Sequence, residues 1–452
     1  MRGSMPRLAG LAWPVYVELL SGVVASIITT YWVAGLGGAA VAAVTLATGI
    51  EHLLLGLVLV VGSGTGLCLS RARGAADRAE ADRVTATAWW LWGLGSLALA
   101  LPGYLLRDPL AALFLDRSAA VLAAGYFAAA FPGLVVFFAQ RVADDLFKGA
   151  GDTRTPMRAA LLGNLVLLVL DPLLILGAGP LPALGVTGAA LALVASRTVA
   201  LAATPVLRRG ARTRGGPRAR ASVRTAGRIV AAGLPFGVDF TARMAVGTVQ
   251  LGLVASFGVA AVAGYGIGYR VLLFATMAFY AVRQAAGIEA ARHLGEGRPD
   301  RLPALARDTA VLVAAVALAA TVLGEAVARP LASSFSPDPA VVAQAVGFLR
   351  LMGCYLVPYA LVVALGGVLQ AAARGRALVL ATVVGFTVQL SAAWGLSRLI
   401  GVDGVWLAMA LGAVTQLALY GGPSAALRTP AGPPRSPVPS RAAPAAGGAA
   451  ES

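Results

Sequence analysis

The sequence predicts an all-α polytopic membrane protein with twelve transmembrane helices, arranged as two six-helix lobes related by a parallel pseudo-twofold repeat. Two observations carry this prediction: the composition, and a set of landmarks that recurs along the chain. Of the 452 residues, 58% are hydrophobic and only 12% are charged, and the mean hydropathy is +0.81. A chain of this composition needs the bilayer as its solvent.

The recurring landmarks lie in the two halves of the chain, most of them 221 positions apart. Pro14 is followed four residues later by Glu18, and Pro235 is followed in the same way by Asp239. Further pairs are the runs 37–42 and 258–263, Gly74 and Gly295, and the later runs 184–188 and 400–404, whose offset is 216. Two homologous membrane halves are typical of secondary transporters.

Twelve apolar stretches of about 20 residues lie between charged or Gly/Pro-rich breaks, and each is long enough to cross a bilayer. The predicted helices run approximately over 11–34, 38–61, 86–106, 119–147, 158–177, 186–207, 229–256, 260–289, 308–328, 341–372, 377–397 and 403–421. They divide the chain into an N-terminal lobe, residues 1–207, and a C-terminal lobe, residues 229–421.

The breaks alternate in charge, and this alternation predicts the orientation. The Arg-rich breaks all fall on one side of the membrane, at 71–83, 151–158, 208–228, 292–307 and 374–376. By the positive-inside rule that side is cytoplasmic. We therefore expect a protein of the cell (inner) membrane with both termini in the cytoplasm. Residues 208–228 are predicted to form an Arg-rich cytoplasmic linker, and the Pro/Ala/Gly-rich residues 422–452 a disordered cytoplasmic tail.

Charge and rare residues exclude several function classes. The net charge of +16 is spread over short loops between apolar segments, so no nucleic-acid partner is expected. The chain has two Cys and two His, without ligand spacing or a nucleophile–base motif, so we expect no metal site, no cofactor and no enzyme activity. The expected partners are the lipid bilayer and a small-molecule substrate, with the protein acting as a monomer.

Three motifs follow one another from the end of the fourth predicted helix into the sixth. They read G-x-G-D-T-R-x-P-M at 149–157, G-N…L-D-P-L from Gly163 to Leu173, and G-x-x-G-A-A-L-A at 185–192. In this order they strongly resemble the multidrug and toxic compound extrusion (MATE) family of the MOP flippase superfamily, over roughly residues 8–422. The resemblance implies a cation-coupled exporter of drugs or metabolites that alternates between inward-open and outward-open states.

Five residues are candidate hinge or gate positions. Gly149, Gly151 and Asp152 form a tight turn between two helices, where glycine tolerates positive φ and aspartate caps the next helix. Pro14 and Pro235 interrupt helices and free backbone carbonyls, which creates bends. A purely structural elbow at the turn and simple packing at the prolines are the alternatives.

The predicted cation-coupling residues are Asp171, Glu18 and Asn164. Asp171 lies in the outer part of its helix, about 20 Å from the cytoplasmic side at the helical rise, and it matches the cation-binding Asp of the family's first lobe. Glu18 stands where the family more often has Gln, and snorkelling to the cytoplasmic edge is its alternative reading. Asn164 belongs to the second motif.

The chain departs from the family at the other members of that cation cluster. Thr29, Leu167 and Leu193 stand where the resemblance implies an Asp, an Asn and a Thr. A lone carboxyl makes a poor sodium cage, because such cages need several oxygen ligands. We therefore expect H⁺ as the coupling ion, with Na⁺ as the alternative.

The predicted substrate cavity contains Asp239, Arg243, Glu51, Arg197 and Arg270. Charges inside spans cost about 2.5–3.5 kcal/mol each on insertion scales and need partners or a wet cavity. Asp239 and Arg243 have the i, i+4 spacing of an ion pair, and Arg197 with Arg270 could satisfy Glu51. An exporter of cations would not be expected to place Arg197, Arg243 and Arg270 at the depth of its cavity. The substrate is therefore predicted to be acidic or zwitterionic; the alternative is that these arginines form structural ion pairs.

The fourth predicted helix ends in a group of polar residues, and the chain also has an alternative function to consider. A polar cluster at the cytoplasmic end of the fourth helix is interpreted as a solvated helix end or an intracellular gate; it contains Gln140, Arg141, Asp144, Asp145 and Lys148. The alternative function is a lipid or polysaccharide-precursor flippase of the same superfamily. The missing cation ligands and the intramembrane arginines favour that alternative.

Overall fold

The computed structural model of the protein describes residues 4–177, 182–207 and 219–421. Throughout these ranges the regular structure is helical, and twelve of the helices are long and apolar enough to cross a membrane. The first half contains α1 (Ser4–Ala34), α2 (Gly38–Gly74), α3 (Arg78–Leu105), α4 (Arg107–Phe114), α5 (Arg117–Gly149), α6 (Arg154–Ile175) and α7 (Gly185–Leu207). The predicted fold class is confirmed.

The second half repeats this order of long helices. It contains α8 (Val223–Ala255), α9 (Val259–Gly295), a 3₁₀ turn (Pro299–Arg301), α10 (Leu302–Phe335), α11 (Pro339–Ala371), α12 (Gly375–Ile400) and α13 (Val402–Leu419). The predicted tail, 422–452, and residues 208–218 of the predicted linker lie outside the described residues. Residues 219–222 form the connection into α8.

The structure differs from the sequence reading at several helix ends. The eight-residue helix α4 was not predicted, and it is too short to cross a bilayer. Helix α2 continues to Gly74, beyond the predicted end at 61, and α8 begins at Val223, before the predicted start at 229. In both places the helix continues beyond the apolar span for several turns that contain arginines. Hydropathy alone does not predict such extensions.

The repeat is visible in the backbone of the turns. Residues with positive φ occur in equivalent places in both halves: Gly37 (100°) and Gly258 (97°), Ala76 (54°) and Gly297 (71°), Gly151 (85°) and Ala373 (59°), and Gly185 (56°) and Gly401 (69°). Ala76 and Ala373 adopt a conformation that normally favours glycine. Both lobes therefore keep the same turn conformation, although at these two places only one lobe has a glycine.

The lobes touch through pseudo-equivalent helices. Because the spans are even in number, α1 begins and α13 ends at the same face, which we name the terminal face. A side chain at Gly74 of α2 would overlap the backbone of Arg292, and one at Gly295 of α9 would overlap the backbone of Arg71. These contacts exchange under the 221-residue offset, so the two helix ends cross on the pseudo-twofold axis.

A second pair of close approaches lies deeper, between α2 and α8. A side chain at Gly64 would overlap the carbonyl of Ile229, and one at Gly233 would overlap the carbonyl of Val60. Small residues that let two backbones approach are the usual basis of helix packing in membranes. These glycines therefore set how closely the lobes can pack.

Among the described residues, the hydrophobic cores of the two lobes merge in the half of the molecule next to the terminal face. The large core of the C-terminal lobe takes in four buried N-lobe residues, Leu8, Ala12, Val15 and Leu59. The N-lobe core nearer the opposite face contains N-lobe residues alone, among them Val33, Ala47, Phe127 and Ile175. An ion pair between Arg7 of α1 and Glu289 of α9, at 3.1 Å, also joins the lobes near the terminal face.

Candidate functional site

Asp171 is fully buried near the end of α6, one residue before Pro172. Its Oδ2 accepts a hydrogen bond of 2.5 Å from the hydroxyl of Thr29 on α1. Its Oδ1 is buried and has no hydrogen-bond partner among the described residues. One carboxyl and one hydroxyl can hold a proton, but they provide too few oxygens for a sodium cage.

Glu18 and Asn164 lie apart from Asp171. Asn164 donates to the hydroxyl of Ser21 at 2.8 Å. The Glu18 carboxylate instead faces α5, where Oε1 accepts a hydrogen bond of 2.7 Å from Lys148. Since Glu18 is only 8% exposed, it does not snorkel, and the three predicted cation-coupling residues divide between different places.

The polar cluster of α5 is buried, so the expectation of a solvated helix end is wrong. Together with Glu18 it forms a group that we name the α5 network: Glu18, Gln140, Arg141, Asp144, Asp145 and Lys148. Gln140 donates to Asp144 at 2.8 Å, and Nε of Arg141 lies 3.3 Å from Oδ2 of Asp145. Lys148 is 1% exposed. Buried charges of this kind persist only when they are paired.

Glu51 and Arg197 share a cavity of about 60 Å³ inside the N-lobe, lined mostly by apolar side chains of α2, α5 and α7. The Tyr126 hydroxyl donates to Glu51 at 2.9 Å. The cavity can hold a few water molecules, which is too little for a drug-sized ligand. Arg270 lies elsewhere: it is exposed, and its guanidinium stacks 5.6 Å from the ring of Phe335. The expected Glu51–Arg270 pairing is therefore absent from the described contacts.

The C-lobe site is centred on Asp239, which is fully buried in α8. The predicted i, i+4 partner Arg243 donates to Oδ1 at 2.9 Å, and Arg283 of α9 donates to Oδ2 at 3.2 Å. Thr382 of α12 adds a hydroxyl hydrogen bond of 2.9 Å to Oδ1. Two guanidinium groups thus share one carboxylate, which gives this buried site an excess positive charge.

Aromatic rings surround these two arginines. The Arg243 guanidinium lies 5.2 Å from the centre of the Tyr359 ring and 5.4 Å from that of Phe386, and Arg283 lies 4.3 Å from Phe236. Tyr359 itself stacks on Tyr355 at 4.7 Å. A site of this kind can hold an acidic group on the guanidinium planes and a flat apolar group on the rings.

Sequence reasoning missed Arg283, Thr382 and Tyr126. Arg283 carried a usable signal, because it is a charge inside the predicted helix 260–289 and every such charge needs a partner. Thr382 carried none, since a threonine hydroxyl in a helix often bonds its own backbone. Tyr126 carried none, since the apolar ring of a tyrosine packs within a span without indicating a partner for its hydroxyl.

The hinge or gate candidates lie in two kinds of place. Pro14 and Pro235 sit inside α1 and α8, which continue as helices past them. Asp152 accepts hydrogen bonds from the backbone N–H groups of Arg154 (3.1 Å) and Thr155 (3.0 Å) at the start of α6. Gly151 has φ of 85°, and Gly149 packs against the backbone of Gly66. The turn is thus a capped elbow; these contacts show no gate.

Twelve spanning helices in two repeated lobes, with a buried carboxylate in each, define a multi-pass membrane protein with the architecture of a secondary transporter. The model of the MatE family matches residues 14–173 and again residues 235–394. The two matched stretches are the two halves of the structural repeat, and the chain belongs to the MatE family. Members of this family are transporters of small molecules and are not enzymes.

Two relatives and two solved structures show how far the similarity extends. The chain is 25% identical over 374 residues to the FAD transporter of Shewanella oneidensis, covering 80% of this chain and 81% of the relative. It is 26% identical over 282 residues to the probable multidrug resistance protein YoeA of Bacillus subtilis, a match that spans 60% of each chain. These relatives do not favour the flippase alternative.

Among solved structures, the fold is similar to that of the Vibrio cholerae MATE transporter VcmN in its bent form, with a TM-score of 0.84 and 21% identity over 94% of this chain and 97% of the other. A MATE structure in the straight conformation has a TM-score of 0.87 at 20% identity, covering 94% of this chain and 96% of the other. At this level of identity, the structural matches establish the fold.

Proposed function

We propose that the protein exports an acidic or zwitterionic small molecule in exchange for protons, by alternating access of its two lobes. It acts as a monomer in the cell (inner) membrane with both termini in the cytoplasm. The observation that carries the substrate class is the C-lobe site, where Arg243 and Arg283 share the single carboxylate of Asp239.

The substrate class follows from charge and geometry. Each guanidinium has five N–H donors. Besides Asp239, the described acceptors are Gln416 for Arg243, and the Val363 carbonyl and Gln370 for Arg283, so part of the ten donors stays unused. A carboxylate or phosphate of the substrate would use the remaining donors and would cancel the excess charge of the site. The relative in Shewanella oneidensis is named as a transporter of FAD, a molecule with two phosphates and a flat ring system, so FAD is the first substrate to test.

The coupling ion follows from the N-lobe site. Asp171 has one oxygen bound to Thr29 and one without a partner in the described structure, so a single proton completes the site. Sodium would need further oxygen ligands, and the family positions that could provide them are occupied by Leu167 and Leu193.

Alternating access and orientation follow from the contacts between lobes. The Arg-rich connections lie at the terminal face, which is therefore the cytoplasmic side by the positive-inside rule. The lobes pack together in that half and have separate cores in the other half. We infer that the structure represents the outward-open state, and that inward opening separates α2 from α8 and α1 from α9.

The test compares an anion with a cation as transported substrate. Proteoliposomes would be loaded with FAD or with ethidium, a lipophilic cation, and efflux would be followed by fluorescence for the wild type, Arg243→Gln and Arg398→Gln. Arg398 is a matched control, because it is exposed and stacks on Trp394 at 3.6 Å. We expect FAD efflux that Arg243→Gln abolishes and Arg398→Gln retains. Efflux of ethidium alone, unchanged in Arg243→Gln, would refute the substrate class.

A further inference from the structure

A small cavity of about 40 Å³ lies between the lobes, and charged groups of both lobes line part of it. The polar side chains of its lining are Ser63, Arg141, Asp145 and Lys148 from the N-lobe, and Arg283, Gln284 and Gln370 from the C-lobe. Gln370 crosses the boundary, since its Nε2 lies 3.3 Å from the hydroxyl of Ser63. The two charge clusters described above therefore meet at one place.

On the N-lobe side of this cavity, carboxyl groups outnumber cations by one. Arg197 interacts electrostatically with Glu18 and Asp144 of the α5 network, and also with Glu51. Among the described residues the combined group therefore has four carboxyl groups and three cations, namely Glu18, Glu51, Asp144, Asp145, Arg141, Lys148 and Arg197. With every group charged, the excess is one negative charge.

Several buried hydrogen-bonding groups of the same network are unpaired. Oε2 of Glu18 and Oε1 of Gln140 are buried acceptors with no hydrogen-bond partner in the described part of the chain, and Oδ2 of Asp145 lies 3.3 Å from Nε of Arg141 without a hydrogen bond between them. Glu18 and Asp145 are each more than nine-tenths buried. A buried acceptor without a donor costs about 1–3 kcal/mol. One added proton would remove the excess charge and also supply a donor.

The C-lobe side of the cavity has an excess of positive charge, and it lies at the equivalent place in the repeat. Gly62 and Arg283 are related by the 221-residue offset. A side chain at Gly62 would overlap the carboxylate of Asp145, whereas one at Gly366 would lie 2.8 Å from Nη1 of Arg283. The space that these glycines leave is thus filled by a carboxylate in the N-lobe and by a guanidinium in the C-lobe, and both groups border the same cavity.

We propose that the α5 network is a second proton-binding site, separate from Asp171, whose negative charge attracts Arg283 and holds the lobes together at the terminal face. The inference rests on the proton coupling proposed above. A proton on the network removes the attraction across the cavity. The lobes then separate at the terminal face, and the cleft closes at the opposite face.

The experiment measures the distance between the lobes at the opposite face as a function of pH. Spin labels would be placed at Leu36→Cys and Phe257→Cys, which are repeat mates in the two opposite-face turns and are each 39% exposed. Cys68 and Cys354 would first be replaced by Ala. In lipid nanodiscs, double electron–electron resonance should show a long distance in alkaline buffer and a growing population of a shorter distance in acidic buffer.

Charge-neutral variants identify the group that responds to pH. Asp145→Asn and, independently, Arg283→Gln should each show the shorter distance at every pH, and the double variant should shift no further than either single one. Asp145→Glu, which retains the charge, should recover the pH response. Each variant would be used only if it elutes as a single monodisperse species.

Asp171→Asn separates this inference from the proposed function. If the pH response persists in Asp171→Asn and is lost in Asp145→Asn, the network is the second site. If it is lost in Asp171→Asn and intact in Asp145→Asn, the network binds no proton in the cycle, and proton coupling through Asp171 stands. A distance distribution that does not change with pH in the wild type would also overturn the inference.

Discussion

Replacement of Asp239 by Asn should destabilise the protein strongly while leaving the size of the side chain unchanged. Asp239, Arg243 and Arg283 have side-chain exposures of 1%, 7% and 3%, so water screens them little. Removing one partner of a buried ion pair typically costs about 3–5 kcal/mol, because the other charge stays buried and unpaired. Here two guanidinium groups would lose their shared carboxylate, so we expect a loss at the upper end of that range.

The assay is thermal unfolding of detergent-solubilised protein, followed by intrinsic fluorescence and by loss of the monodisperse species. Asp403→Asn is the matched control, because Asp403 is an exposed acid at the start of α13. We expect a clearly lower midpoint for Asp239→Asn only. Added FAD should raise the midpoint of Asp239→Asn more than that of the wild type, because a phosphate would replace the lost carboxylate. Equal midpoints for Asp239→Asn and Asp403→Asn would refute the reasoning.

Three further predictions concern the N-lobe and the contact between lobes. Thr29→Val should slow export driven by a pH gradient without abolishing it, because Asp171 keeps its carboxyl and loses one hydrogen bond; full activity in a flux assay would contradict this. Gly233→Ala should lengthen distances between the lobes at the terminal face by spin labelling, whereas Gly227→Ala, whose added carbon meets nothing within 4 Å, should not. Lys148→Met should lower the unfolding midpoint, since the buried Glu18 carboxylate loses its nearest cation and keeps only Arg141 at 4.0 Å; an unchanged midpoint would contradict it.

Local sequence patterns predicted the features that depend on nearby residues. Hydropathy found all twelve spans, and the 221-residue offset found the repeat. The pair Asp239 and Arg243 was predicted because i, i+4 neighbours share one helix face, and the structure contains it.

Contacts between distant helices could not be predicted in the same way. Glu18 was grouped with Asp171, yet α1 presents it to Lys148 of α5, 130 positions away. The charged end of α5 resembled a solvated helix end because its charges are contiguous, but Glu18 of α1 and the glycines Gly62 and Gly66 of α2 pack against it. Arg283 shares Asp239 with Arg243 only because α8 and α9 pack together, and one sequence alone does not give that packing.

Export of FAD from proteoliposomes under an imposed pH gradient and, separately, under a sodium gradient, with wild type beside Asp171→Asn, tests the central claim most directly. We predict that the pH gradient drives FAD export in the wild type, that the sodium gradient does not, and that Asp171→Asn loses the gradient-driven component. Export driven by sodium, or a pH-driven flux unchanged in Asp171→Asn, would contradict proton antiport through this carboxyl group.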